Sequence, residues 1–527
     1  MERPRALISV WDKLGVVEFA SSLDSMGWGI VSTGGTASTL RAAGIEVTDV
    51  SEVTDHPEIF DGRVKTLHPA IHGGVLARRE SQEDMSKLTE LGYHAIDLVC
   101  VNLYPFKETA SREPPAGIED LLEMIDIGGP TMVRSAAKNH PNVIVATDPS
   151  QYQPILDALS EADGLPAGVA HEMRKSLALD AFRATAAYDN SVSRELERRF
   201  SDAEVPGMIN VSSGVGSVLR YGENPHQPAA FYPHSGTASG LSAADQHGGK
   251  ALSYNNYLDL DSALRLSRSL SFSNGTLPHS CVLIKHTNPC GASVDSSQKS
   301  AWEGALASDP ESAFGCVIAF NRTVETNTAA AIGDHFFECM IAPGYDPDAL
   351  EILTRKKNRR MLTLDPMGEY QTEARIRQVE GGWLSQIQGP DPIDWESSVC
   401  VTQKKLDARE MDLARFGSLV IAEVQSNAIV IVRSTETGMA IVGVGPGQTS
   451  RVEAVRIAAR RAGDRANGAM MISDAFFPFR DGIDESNEIG ITSVVQPGGS
   501  IRDDEVIEAA NEYGIAMLFT GTRLFSH

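Results

Sequence analysis

Apolar residues in the first 150 positions come in short runs separated by stretches of helical spacing. Leu7–Val10 reads as a buried strand, and the apolar positions of Val16–Met26 recur three and four apart, the period of a helix. Trp28–Val31 is a second strand, breaking at Ser32-Thr33-Gly34-Gly35-Thr36 into a short helix through Leu40 to Ala43. Leu98–Val101 and Val143–Ala146 read as further strands, with helical Gly117–Met124 and Met132–Lys138 between them. This alternation predicts an α/β fold with a doubly wound parallel sheet over residues 1–200. That region closes with a long helix over His171–Phe200, where Met173, Leu177 and Ala181 share a face. The polar stretch 201–217, with Pro206, reads as a linker, and a second α/β region fills 218–527. A seam within it is expected near 388, at Gln388-Gly389-Pro390-Asp391-Pro392. The sequence shows no repeat of fixed short period and no low-complexity tract.

Length agrees with this division, since 527 residues allow roughly three domains of about 150 each. No apolar run approaches the roughly 20 residues that cross a bilayer. Met1-Glu2-Arg3-Pro4-Arg5 leads straight into the first strand without a signal-peptide pattern, so a cytoplasmic protein away from membranes is expected. A net charge of −24 disfavours nucleic acid as the main partner, because phosphate binding needs a basic footprint. Six scattered cysteines, with no Cys-x-x-Cys, read as reduced core residues rather than a disulfide frame or a zinc site.

Several polar clusters break the apolar pattern where strands end. Cys281–Ile284 runs into Lys285-His286-Thr287-Asn288-Pro289-Cys290-Gly291, which places an ammonium beside an imidazole. Neighbours on a strand point to opposite faces, so both reach one site only if the chain turns, and Asn-Pro and Cys-Gly are expected to supply that turn. The His is suited to accept a proton near neutral pH and the Lys to stabilise negative charge. The Thr33–Thr36 loop offers glycines and helix-start amides to an anion. Arg63 and Lys65 put two cations on one side of an extended loop. Ser450 and Glu453 have capping-box spacing. Three Phe in four residues, Phe476, Phe477 and Phe479, are either core or a slot for a flat heterocycle.

Together the motifs GRVKTLHPAIHGG, NLYPF, IDIGGPT, LRYGENPHQ, KHTNPCG, SAFG, SNAIV, SDAFFPFRDG and QPGGSIRDDEV occur in one order from Leu7 to His527. In that set the chain resembles the bifunctional purine-biosynthesis family that joins 5-aminoimidazole-4-carboxamide ribotide (AICAR) transformylase to inosine monophosphate (IMP) cyclohydrolase. The resemblance implies a methylglyoxal-synthase-like N-terminal domain and a two-part transformylase region of cytidine-deaminase-like fold.

It also implies roles. In the N-terminal domain, formyl-AICAR would close to IMP with loss of water. Trp11, Asp12, Lys13, Thr33, Gly34, Gly35 and Thr36 match phosphate-binding segments. Arg63, Lys65 and Thr66 match the nucleotide loop, with Asn102 and Gly128 as further substrate contacts, and Tyr104, Asp126 and Lys138 match residues around the closing ring; Lys65 is counted with these three as catalytic. In the second region a formyl group would pass from 10-formyltetrahydrofolate to the AICAR amine. His286 matches the base, Lys285 its partner and Asn427 the residue orienting the formyl group. Arg220, Tyr221, Gly315, Glu338 and Arg451 match positions around AICAR, and Phe476, Asp481 and Arg523 match positions near the folate. A homodimer and a structural potassium ion are implied as well, but no zinc.

The chain departs from the family pattern at three places. Trp11 and Leu14, in Ser9-Val10-Trp11-Asp12-Lys13-Leu14, replace two hydroxyl donors, and Pro446 replaces an alanine, removing an amide donor. Two rival readings stand beside this one. A zinc hydrolase of the deaminase kind would need Pro-Cys-x-x-Cys, whereas Pro289-Cys290 is followed by Gly291-Ala292-Ser293. A non-catalytic nucleotide-binding regulator would bind ligand without turnover.

Overall fold

The computed structural model describes residues 3–203, 205–211, 213–234, 238–273, 279–365, 373–389 and 391–527; Pro390, within the expected seam, lies outside them. The chain divides into two compact units, Met1–Ser212 and Ser213–His527.

In the first unit, Ala6, Leu7 and Ile8 are buried on both faces of the sheet, as a parallel strand covered by helices requires. The strands are β1 (Arg5–Ile8), β2 (Gly29–Ser32), β3 (Val47–Asp49), β4 (Leu98–Cys100) and β5 (Ile144–Ala146). They lie in the order β3-β2-β1-β4-β5, all parallel. Strand order reverses between β1 and β4, so the crevice outside their C-terminal ends is where an open α/β sheet takes a ligand. The helix His171–Phe200 forms over the expected span, burying Leu177, Ala178 and Ala181. The aromatic Trp28 is fully buried and its indole N–H donates to Gly164 O at 2.8 Å, so its one polar atom is satisfied in the core.

The second unit opens with a short ribbon, β6 (Ser217–Val218) on β7 (Ala230–Phe231). Its first half then holds β8 (Asp245–Gln246), β9 (His279–Lys285), β10 (Asn288–Asp295), β11 (Cys316–Phe320), β12 (Phe337–Ala342) and β13 (Arg360–Thr363). A separate hairpin follows, β14 (Glu373–Val379) with β15 (Gly382–Gln388). The second half holds β16 (Val399–Cys400), β17 (Ile429–Ser434), β18 (Gly438–Gly445), β19 (Met470–Ser473), β20 (Ser493–Gln496) and β21 (Ala516–Phe519). Twelve of these form one sheet, in the order β16-β21-β20-β19-β17-β18-β10-β9-β11-β12-β13-β8.

The order reads the same outward from the β10–β18 pair in both directions. Each half runs helix, antiparallel hairpin, helix, then three parallel strands with helices between them. A repeat of architecture is therefore present that no short sequence period announced. One face of the sheet carries a continuous core, in which Val282 and Ile284 join Val430 and Val432. On the other face the alternate residues split into two cores, Cys281 and Leu283 in one and Ile429 and Ile431 in the other. The period of two along each strand produces this division.

Candidate active sites

In the first unit the loop after β1 and the loop after β4 are tied by one side chain. Asn102 Oδ1 accepts from the Trp11 and Asp12 amides at 2.5 and 3.0 Å, and Asn102 Nδ2 donates to Asp12 O at 2.9 Å. Lys13 is turned inward: its Nζ donates to Val10 O and, at 3.1 Å, to Thr36 Oγ1. Burial lowers the Lys13 pKa, with the charge of Asp12 pulling the other way. Thr36 lies in the helix Gly34–Ala42, whose N-cap Thr33 makes no side-chain capping bond. A Cβ placed on Gly34, at φ +54°, would come within 3.0 Å of Lys65 Nζ, so an ammonium stands over unsatisfied helix-start amides. The same ammonium lies 3.5 Å from Glu58 Oε1, so a carboxylate shares it. A cation beside helix-start amides is an arrangement that attracts an anion.

The remaining residues continue from there. Thr66 is buried, and its Oγ1 lies 2.6 Å from where a Cβ on Gly128 would be, so only glycine lets the two loops meet. Asp126 Oδ1 accepts from the Gly129 amide at 2.7 Å. Burial raises the Asp126 pKa, against hydrogen bonds from the Gly129 and Tyr104 amides. The Tyr104 hydroxyl is also pushed up, by burial and then by the charge of Asp126. Its ring lies 5.0 Å from that of Trp11, which closes a circuit of contacts around one cleft. Two expected residues fall outside it. Arg63 is drawn off into an ion pair with Glu123. Lys138 ends the helix Gly128–Lys138, which begins two residues after Asp126, so a helix rise of about 15 Å separates Lys138 from the start of that helix. Lys138 is at the far end of that helix from Asp126.

In the second unit the hairpin β9–β10 corrects the expected turn. Lys285 pairs with Asn288, so the turn is His286-Thr287, and Asn288-Pro289-Cys290-Gly291 belongs to β10 with a register shift between Pro289 and Gly291. Asn-Pro and Cys-Gly instead supply a strand start and an irregularity. Gly291 serves packing, since a Cβ there would lie 2.2 Å from Ala305 O of the covering helix. His286 and Thr287 have φ of +51° and +61°, which ends the strand alternation, and His286 is exposed. Lys285 Nζ donates to Phe314 O at 2.7 Å, so the ammonium sits at the loop of Gly315. The carboxylate of Asp259, a residue the sequence reading passed over, accepts from the Thr287 amide at 2.7 Å.

Strand directions explain what gathers here. β9 and β18 end at the same edge, β11, β12 and β17 begin there, and β19 and β21 end there. That edge carries Lys285, His286, Gly315, Glu338, Asn427, Phe476 and Arg523. The Gln425 amide donates to Asn288 Oδ1 at 3.1 Å, joining the two halves directly. Asn427 Oδ1 accepts from Arg451 Nη2 at 2.8 Å, and Arg451 is itself held in a buried ion pair with Asp474, a second partner the sequence reading missed. Asp474 stands in SDAFFPFRDG directly after an apolar strand, the signal that marks it. Ser450 occupies the N-cap before Arg451 but makes no capping hydrogen bond, so its spacing to Glu453 does not form a box.

The other expected residues have definite places. The Arg220 guanidinium lies 5.2 Å over the Tyr221 ring, and nearby Glu223 O accepts from Asn255 at 3.3 Å, in the helix that also carries Asp259. Glu338 pairs with Arg360 at 2.7 Å. Of the three Phe, Phe477 is core, whereas Phe476 and Phe479 are 39% and 48% exposed, so the motif divides between both readings. Asp481 accepts from the Gly482 amide at 2.8 Å at the start of a helix, and the Arg523 guanidinium lies 4.6 Å from the Phe525 ring centre.

Comparison with known proteins shows the family. A family model described as "AICARFT/IMPCHase bienzyme" matches residues 136–461, and one described as "MGS-like domain" matches 15–131. A "Bifunctional purine biosynthesis protein PurH" of Persephonella marina is 43% identical over 530 residues, covering 99% of each chain. Another of that name, from Desulfitobacterium hafniense strain DCB-2, is 44% identical over 534 residues, again covering 99% of each. The chain belongs to the AICARFT/IMPCHase bienzyme family. It is a bifunctional enzyme of purine biosynthesis, with transformylase and cyclohydrolase activities in one polypeptide. Its N-terminal unit is the methylglyoxal-synthase-like part of that family's architecture. A solved structure titled "Crystal structure of ForH" is 38% identical, covering 37% of this chain and 100% of its own, with a TM-score of 0.34.

Proposed function

We propose that the two activities divide between the two units, with ring closure in the cleft of the first and formyl transfer at the sheet edge of the second. In formyl transfer the AICAR amine forms a bond to the formyl carbon of 10-formyltetrahydrofolate, and the bond from that carbon to the folate nitrogen breaks. The amine is conjugated with the imidazole and nucleophilically poor, so a positioned base and a polarised formyl group are needed. His286 takes the amine proton. Lys285, its ammonium at the Phe314 carbonyl, stabilises charge on the leaving nitrogen or returns a proton to it. Asn427, whose amide is oriented by Arg451, aligns the formyl oxygen. Exposed Phe476, with Asp481 and Arg523, belongs to the folate side.

In ring closure the carboxamide nitrogen attacks the formyl carbon and water leaves. Lys65 and the amides at Gly34 and Gly35 take the nucleotide's anionic end or developing oxygen charge, and Tyr104 with Asp126 handles protons. Lys138 is assigned no step, because its helix carries it away from Asp126. The second region is read as cytidine-deaminase-like. The whole is read as a cytoplasmic homodimer acting on nucleotide and folate, without nucleic acid or membrane. In support, the net charge is −24, and among the described residues no helix is long and apolar enough to cross a membrane. The oxygens around Arg451 Nη1, from Asp474, Ser473 and Ala428, already face a guanidinium. No residue is assigned to the implied potassium, and no step runs through it.

The observation that carries this reading is the convergence of Lys285, His286, Gly315 and Asn427 on one edge from strands far apart in sequence. Purified protein given AICAR and 10-formyltetrahydrofolate should yield IMP and tetrahydrofolate in equal amounts. Binding of both ligands without either product would overturn it.

A further inference from the structure

The His286-Thr287 turn is an unfavourable one for its residues. A two-residue hairpin with both residues at positive φ is a type I′ turn, which prefers Asn-Gly. Left-handed conformation costs a side-chain-bearing residue roughly 1–2 kcal/mol, and a β-branched residue such as Thr is a true outlier there. Such conformations persist where the surroundings over-determine them.

We propose that Asp259 is a positioning residue for formyl transfer, its carboxylate holding the His286-Thr287 turn in the conformation that presents the His286 ring at the sheet edge. The inference rests on the reading of His286 as the base. Asp259 Oδ1 accepts from the Thr287 amide at 2.7 Å. The His286 amide hydrogen-bonds to the same carboxylate, which is largely buried and whose pKa burial raises. Asp259 stands on the helix Tyr254–Ser273, which packs on β9 and β11 and so fixes the carboxylate relative to the strand. The His286 carbonyl is also engaged, by Asn288 Nδ2 at 3.0 Å and Thr287 Oγ1 at 2.7 Å.

The second half of the sheet supplies an internal comparison. Its equivalent hairpin, β17–β18, turns through Thr435–Thr437, where no residue has positive φ. The equivalent helix there sends a donor rather than an acceptor, Arg409 Nη2 to Thr435 O at 2.7 Å. That turn too meets a carboxylate, but through side chains, the Thr437 and Thr435 hydroxyls donating to Asp295 at 2.8 and 3.4 Å. The architecture thus needs neither a left-handed pair nor a carboxylate on the turn's backbone amides; the hairpin bearing the Lys-His pair has both.

Full-length Asp259→Ala should lose about 10²-fold in kcat for formyl transfer, the scale of a small misplacement of a reacting group, with KM values little changed and ring closure intact. Asp259→Asn keeps an acceptor oxygen and should retain most of the rate. Adding Thr287→Gly to Asp259→Ala should restore about tenfold or more, because glycine enters the left-handed region without a side-chain penalty. A purely structural role would not be rescued in kcat by that change. Wild-type kcat in Asp259→Ala, no rescue by Thr287→Gly, or equal damage in Asp259→Asn would each overturn the proposal. If Asp259→Ala does not fold, the Asn variant carries the test. His286→Ala assayed alongside separates the claims: retained transfer there sinks the base assignment, whereas loss there with full activity in Asp259→Ala sinks the positioning role alone.

Discussion

Lys285 and His286 are neighbours in sequence yet meet different partners, the Phe314 carbonyl for one and the turn held by Asp259 for the other. Cys290, four residues on, shows the opposite behaviour. It is buried, its Sγ lies 3.4 Å from Leu283 O, and burial pushes its thiol up to about 12. Because the pKa is raised, the thiolate that reacts with electrophiles is almost absent at neutral pH. Cys290 should therefore stay unlabelled by an aromatic disulfide reagent in the native enzyme at pH 8 and react only on unfolding, as read by peptide mass. Labelling within minutes, with loss of formyl transfer, would show a reactive thiol. Residue identity also explains what sequence could show about the site. His286 and Asn427 lie in runs whose turn and strand-end character is visible, whereas Asp259 lies inside a helix where nothing marks it. The turn itself was misplaced because glycine and proline are the usual punctuation, and here His and Thr are held in a glycine-like conformation by a group 28 residues away.

Elements were more legible than their pairing. The helix 171–200 and the strands of the first unit follow from apolar period, with ends shifted by a residue or two. Short elements such as β3, and the weakly patterned helix Gln82–Glu90, with only Leu88 buried, escaped that reading. The duplicated order of the second unit was invisible, since two copies can share architecture while each side chain answers to its own neighbours. Its glycines show what that architecture demands. A Cβ on Gly445 would lie 2.0 Å from Ala454 O, and one on Gly443 would lie 2.2 Å from Ala458 O. The helix Arg451–Ala462 thus lies directly on β18, and Arg451 at its start reaches Asn427. Gly445→Ala should push that helix outward, costing about 1–3 kcal/mol as overpacking does. Formyl transfer should fall with it while ring closure holds. Denaturant melts and paired assays check this, and unchanged stability would mean the helix is not seated as described.

At the scale of the molecule, an acidic chain of net charge −24 collects cations and helix-start amides at a few points where anionic substrates act. Its two units hold separate cores and separate clefts. On the proposed division the first acts at the switch point of a small parallel sheet, and the second at one edge of a twelve-stranded sheet to which both halves contribute. Separate sites predict separable activities. The most direct test is a pair of full-length variants, His286→Ala and Lys65→Ala, each assayed for tetrahydrofolate release from AICAR and 10-formyltetrahydrofolate and for IMP formation from supplied formyl-AICAR. His286→Ala should lose formyl transfer by about 10²-fold or more, the range of a lost general base, while closing formyl-AICAR at the wild-type rate. Lys65→Ala should show the converse. Equal loss of both steps in either variant, or transfer that survives without His286, would contradict the account.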